Sequence, residues 1–192
     1  MITGRGTKVL SEALPGNNFL VTGPIGNFFR FEKDKTVALI AGGIGLAPMI
    51  NSAKKLKKLG MKVIIYYGGR SKTDILMYDY LQSICDELFI TTDDGSLGIK
   101  GNVLVPLSEN INKYDKIYAC GPNRMLQAVT NLCGENNIPI DISLDEQMGC
   151  GVGACLGCMI TINENGKKER RRCCVEGPIF DGFKVDWEAL IR

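Results

Sequence analysis

Thr36-Val-Ala-Leu-Ile-Ala41 runs into Gly42-Gly43-Ile44-Gly45, and that into Leu46-Ala-Pro48-Met-Ile-Asn-Ser-Ala-Lys-Lys-Leu-Lys-Lys-Leu59-Gly60. The first six residues are a continuous apolar run, the pattern of a strand covered on both faces. From Leu46 the period changes. Leu46, Met49, Ile50, Ala53, Leu56 and Leu59 fall on one side of a helix and the lysines on the other. Pro48 suits the first helical turn, where no amide hydrogen is needed, and Gly60 suits a helix end. Strand, glycine turn and helix in that order make half of a parallel βαβ unit.

Working outward, the alternation continues. Residues 62–67 read as a strand, 78–84 as a helix, 87–91 as a strand, 93–101 as a turn-rich loop, 116–120 as a strand, 123–134 as a helix and 140–144 as a last strand. Strand–helix alternation over about a hundred residues predicts an α/β fold, a parallel sheet with helices on both faces. Before it, residues 1–31 hold short apolar runs broken at Gly4-Arg-Gly6-Thr7, Pro15-Gly16, Gly23-Pro24 and Gly26-Asn27, which predicts β structure with tight turns. After it, 148–158 (MGCGVGACLGC) is too rich in Gly and Cys for a regular element. A strand at 159–162, a turn at 163–168 and a return strand at 170–175 follow. The expected units are 1–32, 33–145 and 146–192.

Composition narrows the function. Of 192 residues 45% are hydrophobic and 23% charged, so a packed protein is expected, and a net charge of +2 argues for neither nucleic acid nor a membrane surface. No apolar stretch approaches the ~18 residues of a membrane span, and no signal peptide is evident, so a cytoplasmic protein is expected. There are 8 cysteines and no histidine. A metal site must therefore use thiolates or carboxylates, and clustered thiols in a reducing compartment favour metal binding or catalysis over disulfides.

Cys150-x4-Cys155-x2-Cys158 followed by a cysteine beyond a hairpin-sized gap is the plant-type 2Fe-2S spacing. Three thiolates from one loop wrap a small anionic cluster and a fourth closes it from another element. Gly149, Gly151, Gly153 and Gly157 let the loop curl and turn its amides toward the sulfurs. A structural zinc site would show a second C-x2-C, whereas here only adjacent Cys173-Cys174 follows. Cys85 and Cys133 fall within helical stretches and read as buried, inert thiols. Spacing alone leaves the fourth ligand open between Cys173 and Cys174.

Gly42, Gly43, Gly45 and Pro48 stand between a strand and a helix, where amides and a helix N-terminus can approach a pyrophosphate. The spacing departs from G-x-G-x-x-G. Cys120-Gly121-Pro122 repeats the arrangement at a later strand end, so both turns lie at the sheet edge where open parallel sheets bind ligands. Asp93-Asp94-Gly95 reads as a plain turn, and the basic run at 167–172 as a docking patch for an acidic partner or as a solvated hairpin tip.

Taken together, GGIGLAP, CGP and the C-terminal cysteine set with GPIF after it resemble the ferredoxin-reductase-like electron-transfer subunits of dihydroorotate dehydrogenase B over essentially the whole chain. That resemblance implies Cys174, three residues before Gly177-Pro178, as the fourth ligand beside Cys150, Cys155 and Cys158. It implies that Gly42–Pro48 and Cys120–Pro122 bind NAD and that Gly6 and Thr7 match part of the FAD-binding segment. The implied route joins NAD(H) to FAD, FAD to the 2Fe-2S cluster, and the cluster to the FMN of a separate catalytic subunit in pyrimidine synthesis, as a hetero-tetramer. The family's flavin-binding β-barrel carries an Arg-Pro-x-Ser type motif. Residues 1–32 match only the end of that barrel, which implies either a fragment or a chain without ordinary FAD binding. Two rival readings stand. One is the small subunit of an NADH-dependent ferredoxin–NADP reductase or sulfide dehydrogenase, a group in which a carboxylate replaces the first cluster cysteine. The other is a non-enzymatic metal-binding module that has lost its flavin.

Overall fold

The computed structural model describes residues 4–191. In chain order its principal elements are α1 (Arg5–Ser11), β1 (Val37–Gly42), α2 (Leu46–Lys58), β2 (Ile64–Gly69), α3 (Tyr78–Ile84), β3 (Glu87–Thr92), β4 (Ile99–Lys100), α4 (Leu104–Asn110), β5 (Lys116–Cys120), α5 (Asn123–Glu135), β6 (Ile140–Ser143), β7 (Met159–Glu164), β8 (Lys167–Arg172), β9 (Ile179–Asp181) and α6 (Trp187–Leu190). A seven-stranded sheet runs β4-β3-β2-β1-β5-β6-β9, parallel except for β9. As the apolar run at 36–41 predicts, β1 is central and wholly buried. Its side chains alternate between two cores. Val37, Leu39 and Ala41 join the α2 and α3 side with Met49, Leu56 and Leu81. Ala38 and Ile40 join the α4 and α5 side with Leu107, Leu126 and Val129.

The strand order places β2 on one side of β1 and β5 on the other. Chain direction across the sheet therefore reverses between β1 and β5, and the crevice at their C-terminal ends is a topological switch point.

Residues before β1 correct the sequence expectation. Residues 12–36 hold neither helix nor strand, and 5–11 are helical, where β structure was predicted. Thr7 supplies the reason for the helix: its hydroxyl accepts from the Gly4 amide at 3.1 Å and donates to the Gly4 carbonyl at 3.0 Å. A strand needs a neighbour to pair its amides and carbonyls. Phe19, Leu20 and Val21 are exposed, with no sheet alongside them among the described residues. The arm does dock further on. Phe29 and Phe31 pack edge-on to Tyr118, whose hydroxyl donates to the Arg30 carbonyl at 2.6 Å.

Beyond β6 the chain forms the hairpin β7–β8. Its turn narrows to Asn165 and Gly166, both at positive φ, as a two-residue hairpin loop requires. The return strand stops at Arg172, so Cys173 and Cys174 lie in a turn instead of alternating along a strand. The chain then returns to the main sheet as β9, antiparallel to β6, a pairing with no local signal. Among the described residues no helix is long and apolar enough to cross a membrane.

Candidate functional site

Two sets of residues stand out, one at the switch point and one in the cysteine loop. At the switch point the two glycine turns interlock. A side chain on Gly45 would stand 2.2 Å from the Cys120 carbonyl oxygen, one on Gly121 3.0 Å from the Gly42 amide nitrogen, and one on Gly42 2.9 Å from Pro122. Gly43 and Gly121 have positive φ. The sequence places the turns at one sheet edge, and the fold brings them into contact. The N-termini of α2 and α5, each 13 residues long, open from these turns. Free amides and two helix dipoles then face one crevice, a setting suited to a pyrophosphate. Pro48 sits in the first turn of α2, half-buried, and Pro122 precedes α5 in the open. Cys120 is buried, and that burial pushes its thiol up although the Ser143 hydroxyl opposes the shift. It is a compact, buried thiol that ends β5 in the core on the α2 side.

Gly6 and Thr7 do not reach either set. Gly6 lies exposed on α1 with no atom near where a side chain would project, and Thr7 serves the helix cap.

The second set is the cysteine loop. Cys150 is half-buried and Cys155 exposed, whereas Cys158 and Cys174 are each 3% exposed. All are free thiols. Backbone amides aim at the sulfurs: Val152 and Cys155 donate to Cys150 Sγ at 3.4 Å, and Gly157 donates to Cys155 Sγ at 3.5 Å. The amides of Cys155 and Val152 pull the Cys150 thiol down to about 6, so it is ionised at neutral pH. Cys158 Sγ and Cys174 Sγ are 3.4 Å apart. The Cys174 amide draws Cys158 down, and the hydrogen bond to Cys158 holds Cys174 up, because two like charges at that separation resist ionising together. Cys173 is fully buried, and burial raises its thiol to about 12.

Among the described residues no three ligating side chains converge on one point, as a single metal ion would need. The thiols instead fall into two pairs, Cys150 with Cys155 and Cys158 with Cys174. Two pairs fit a group with two metal atoms, each taking two thiolates. Amides directed at the sulfurs suit the negative charge of such a group. The donor set and the loop therefore fit a 2Fe-2S cluster.

Two further contacts carry no motif. Arg172 and Glu176 form an ion pair in the turn that holds Cys174. Asn27, in the arm, donates from its amide to the carbonyls of Glu176 and Ile179 at 2.9 Å and accepts from the Ile179 amide at 2.8 Å. Their partners lie far along the chain or in an irregular turn, so periodicity is silent about them. The only local hints are the opposite charges four residues apart and an Asn after Gly-Pro-Ile-Gly.

The profile of the iron-sulfur cluster binding domain of dihydroorotate dehydrogenase B matches residues 145–186, and that of the oxidoreductase NAD-binding domain matches 39–131. The electron transfer subunit of dihydroorotate dehydrogenase B (NAD(+)) of Desulforamulus reducens is 38% identical over 190 residues, which is 97% of this chain and 72% of that protein. Its counterpart in Clostridium acetobutylicum is 39% identical over 187 residues, 96% of this chain and 71% of that one. Among solved structures, the NADH-dependent reduced ferredoxin-NADP oxidoreductase superposes with a TM-score of 0.86 at 35% identity, across all of this chain and 69% of its own. With identity of this order over nearly the whole chain, and matched profiles over the NAD-binding and iron-sulfur stretches, the chain belongs to the family of dihydroorotate dehydrogenase B electron transfer subunits.

Proposed function

We propose that this chain carries electrons between NAD(H) and a catalytic subunit that converts dihydroorotate to orotate in pyrimidine synthesis. The observation that supports it most is the double pair of thiols, ringed by amides, at Cys150, Cys155, Cys158 and Cys174. The oxidation releases two electrons and two protons, and NAD+ takes both electrons with one proton. A 2Fe-2S cluster moves one electron at a time, and FAD converts between single electrons and a hydride.

The protein's part is to bind and orient. The turns at Gly42, Gly43, Gly45 and Pro48, and at Cys120, Gly121 and Pro122, hold the dinucleotide across the switch point. The four thiolates hold the cluster, with Cys173 a buried bystander. FAD belongs to this reading as the link between the two, although Gly6 and Thr7 are not the residues that support it. Met148, Val152, Leu156 and Val175 are exposed apolar side chains on and beside the cysteine loop. Such a collar favours docking of an FMN-bearing catalytic subunit over the cluster, two copies of each subunit forming a hetero-tetramer in the cytoplasm.

A second reading is favoured by the structural likeness to the NADH-dependent ferredoxin-NADP oxidoreductase: the chain would then serve as a small subunit of that kind. Cys150 separates the two, since a carboxylate is expected there in that group. The test is anaerobic co-purification with the catalytic subunit. Iron, acid-labile sulfide and flavin should be present, and dihydroorotate should reduce NAD+ only when both subunits are combined. Absence of iron and sulfide from both subunits together would refute the proposal.

A further inference from the structure

The turn that presents Cys174 is built around one residue. The Arg172 carbonyl accepts from the amides of Val175, Glu176 and Gly177 at 3.1, 2.9 and 3.2 Å. The Arg172 amide donates to Glu176 Oε2 at 2.7 Å. Its guanidinium grips the same carboxylate, Nε donating to both oxygens at 3.1 Å and Nη2 to Oε1. A plain surface ion pair would end there. Here the remaining Nη1 reaches across to the Gly153 carbonyl at 3.4 Å, inside the loop of the other three cysteines. The Gly153 amide faces the Cys174 sulfur. Gly153 itself has a φ of +80°, and a side chain there would meet Val175 at 2.7 Å and Arg172 Nη1 at 3.2 Å. The two segments that supply the four thiols are thus in close contact, and one guanidinium spans the join.

We infer that Arg172 is a positioning residue for the cluster: it latches the 150–158 loop to the Cys174 turn, and its charge, offset by Glu176, sets how readily the cluster accepts an electron. This rests on the cluster reading above. The guanidinium lies within electrostatic range of the Cys174 and Cys158 sulfurs. Adding an electron to an anionic centre is favoured by a nearby cation and opposed by a nearby anion. Arg172 stays charged at any working pH, and it holds Glu176 as the carboxylate partner of a bidentate ion pair. Both charges therefore act throughout, and removing one or the other must shift the equilibrium in opposite directions. A purely mechanical latch predicts no such opposition.

The experiment compares the wild type, Arg172→Gln, Arg172→Lys and Glu176→Gln, each isolated anaerobically as the full chain with its catalytic partner. Iron and acid-labile sulfide are assayed first. The cluster is then reduced stepwise with dithionite and followed by visible and electron paramagnetic resonance spectra. Arg172→Gln should be harder to reduce by about tenfold in the equilibrium, 59 mV for a one-electron couple. Glu176→Gln should be easier to reduce by a similar factor. Arg172→Lys should keep the wild-type equilibrium within about threefold yet lose iron to a chelator several times faster, because an ammonium cannot hold both segments. Loaded Arg172→Gln and Glu176→Gln that shift in the same direction, or not at all, would overturn the inference. If Arg172→Gln does not load, an unshifted Glu176→Gln overturns it alone. A wild type without iron and sulfide is a different result, which removes the cluster reading itself.

Discussion

Cys150, Cys155, Cys158, Cys173 and Cys174 lie within 25 residues of one another and differ in what surrounds each sulfur. Amides face Cys150 and Cys155, a second thiol faces each of Cys158 and Cys174, and Cys173 is sealed in the core. Cys155→Ser should therefore abolish iron binding and the brown colour, because one iron loses half of its thiolates. Cys173→Ala should keep both, with iron content and the visible spectrum as the measurements. In cluster-free protein kept reduced, Cys150 should be the first of the buried or half-buried cysteines to be carbamidomethylated at pH 7. A group lowered to about 6 is mostly thiolate there, whereas one raised to about 12 is almost wholly protonated. Its labelling rate, read by peptide mass spectrometry, should fall as the pH drops through 6 and level off above about 7. The spacing of these cysteines is plain in the sequence. Which of the adjacent pair turns inward to a partner is not, because that depends on a turn closed by Arg172 and Glu176.

At the scale of elements, the glycine turns follow from the local alternation of strand and helix, and their contact follows from the strand order. Gly45→Ala would put a methyl group 2.2 Å from the Cys120 carbonyl oxygen. The turns after β1 and β5 must separate to admit it. NADH affinity, measured by calorimetric titration, should fall tenfold or more, with the cluster spectrum unchanged. Gly26 is held as tightly where the N-terminal arm meets the turn before β9. At a φ of +67° its missing side chain leaves room for the Gly177 carbonyl, which would otherwise lie 2.0 Å from it. Gly26→Ala should cost about 1–3 kcal/mol of local stability, seen as faster hydrogen exchange at the Asn27 amide, which donates to that carbonyl. Most strands and helices from β1 to β6 are legible because two-sided burial and amphipathic spacing repeat along them; β4 and α4 escape the reading because two residues of strand and seven of helix are too short to show a period. The N-terminal stretch is misread as β because its Gly and Pro punctuation marks turns but says nothing about whether a neighbouring strand exists to pair with.

Across the whole molecule, the cysteine module is tied to the rest of the chain in three places. β9 pairs with β6, Asn27 clamps the arm to the turn after Cys174, and Ile160, Ile162 and Phe180 enter the same core as α5. The apolar collar is left facing outward, Val152 at 66% and Leu156 at 58% exposure. Leu156→Asp should weaken association with the catalytic subunit at least tenfold, by analytical ultracentrifugation or calorimetry, without altering the cluster spectrum, since it places an unpaired charge in an interface. The sequence by itself determined the α/β alternation, the two glycine turns and the thiol spacing. Each of these is written in neighbours a few residues apart, where backbone period and ligand reach are local. Only the tertiary structure decided that the turns meet at one crevice, that the tail returns to the sheet edge, that Cys174 faces Cys158 and that Arg172 joins the two thiol segments. Those contacts link residues far apart or set in irregular turns, and they are selected by the packing of the whole core, which no short window of sequence contains.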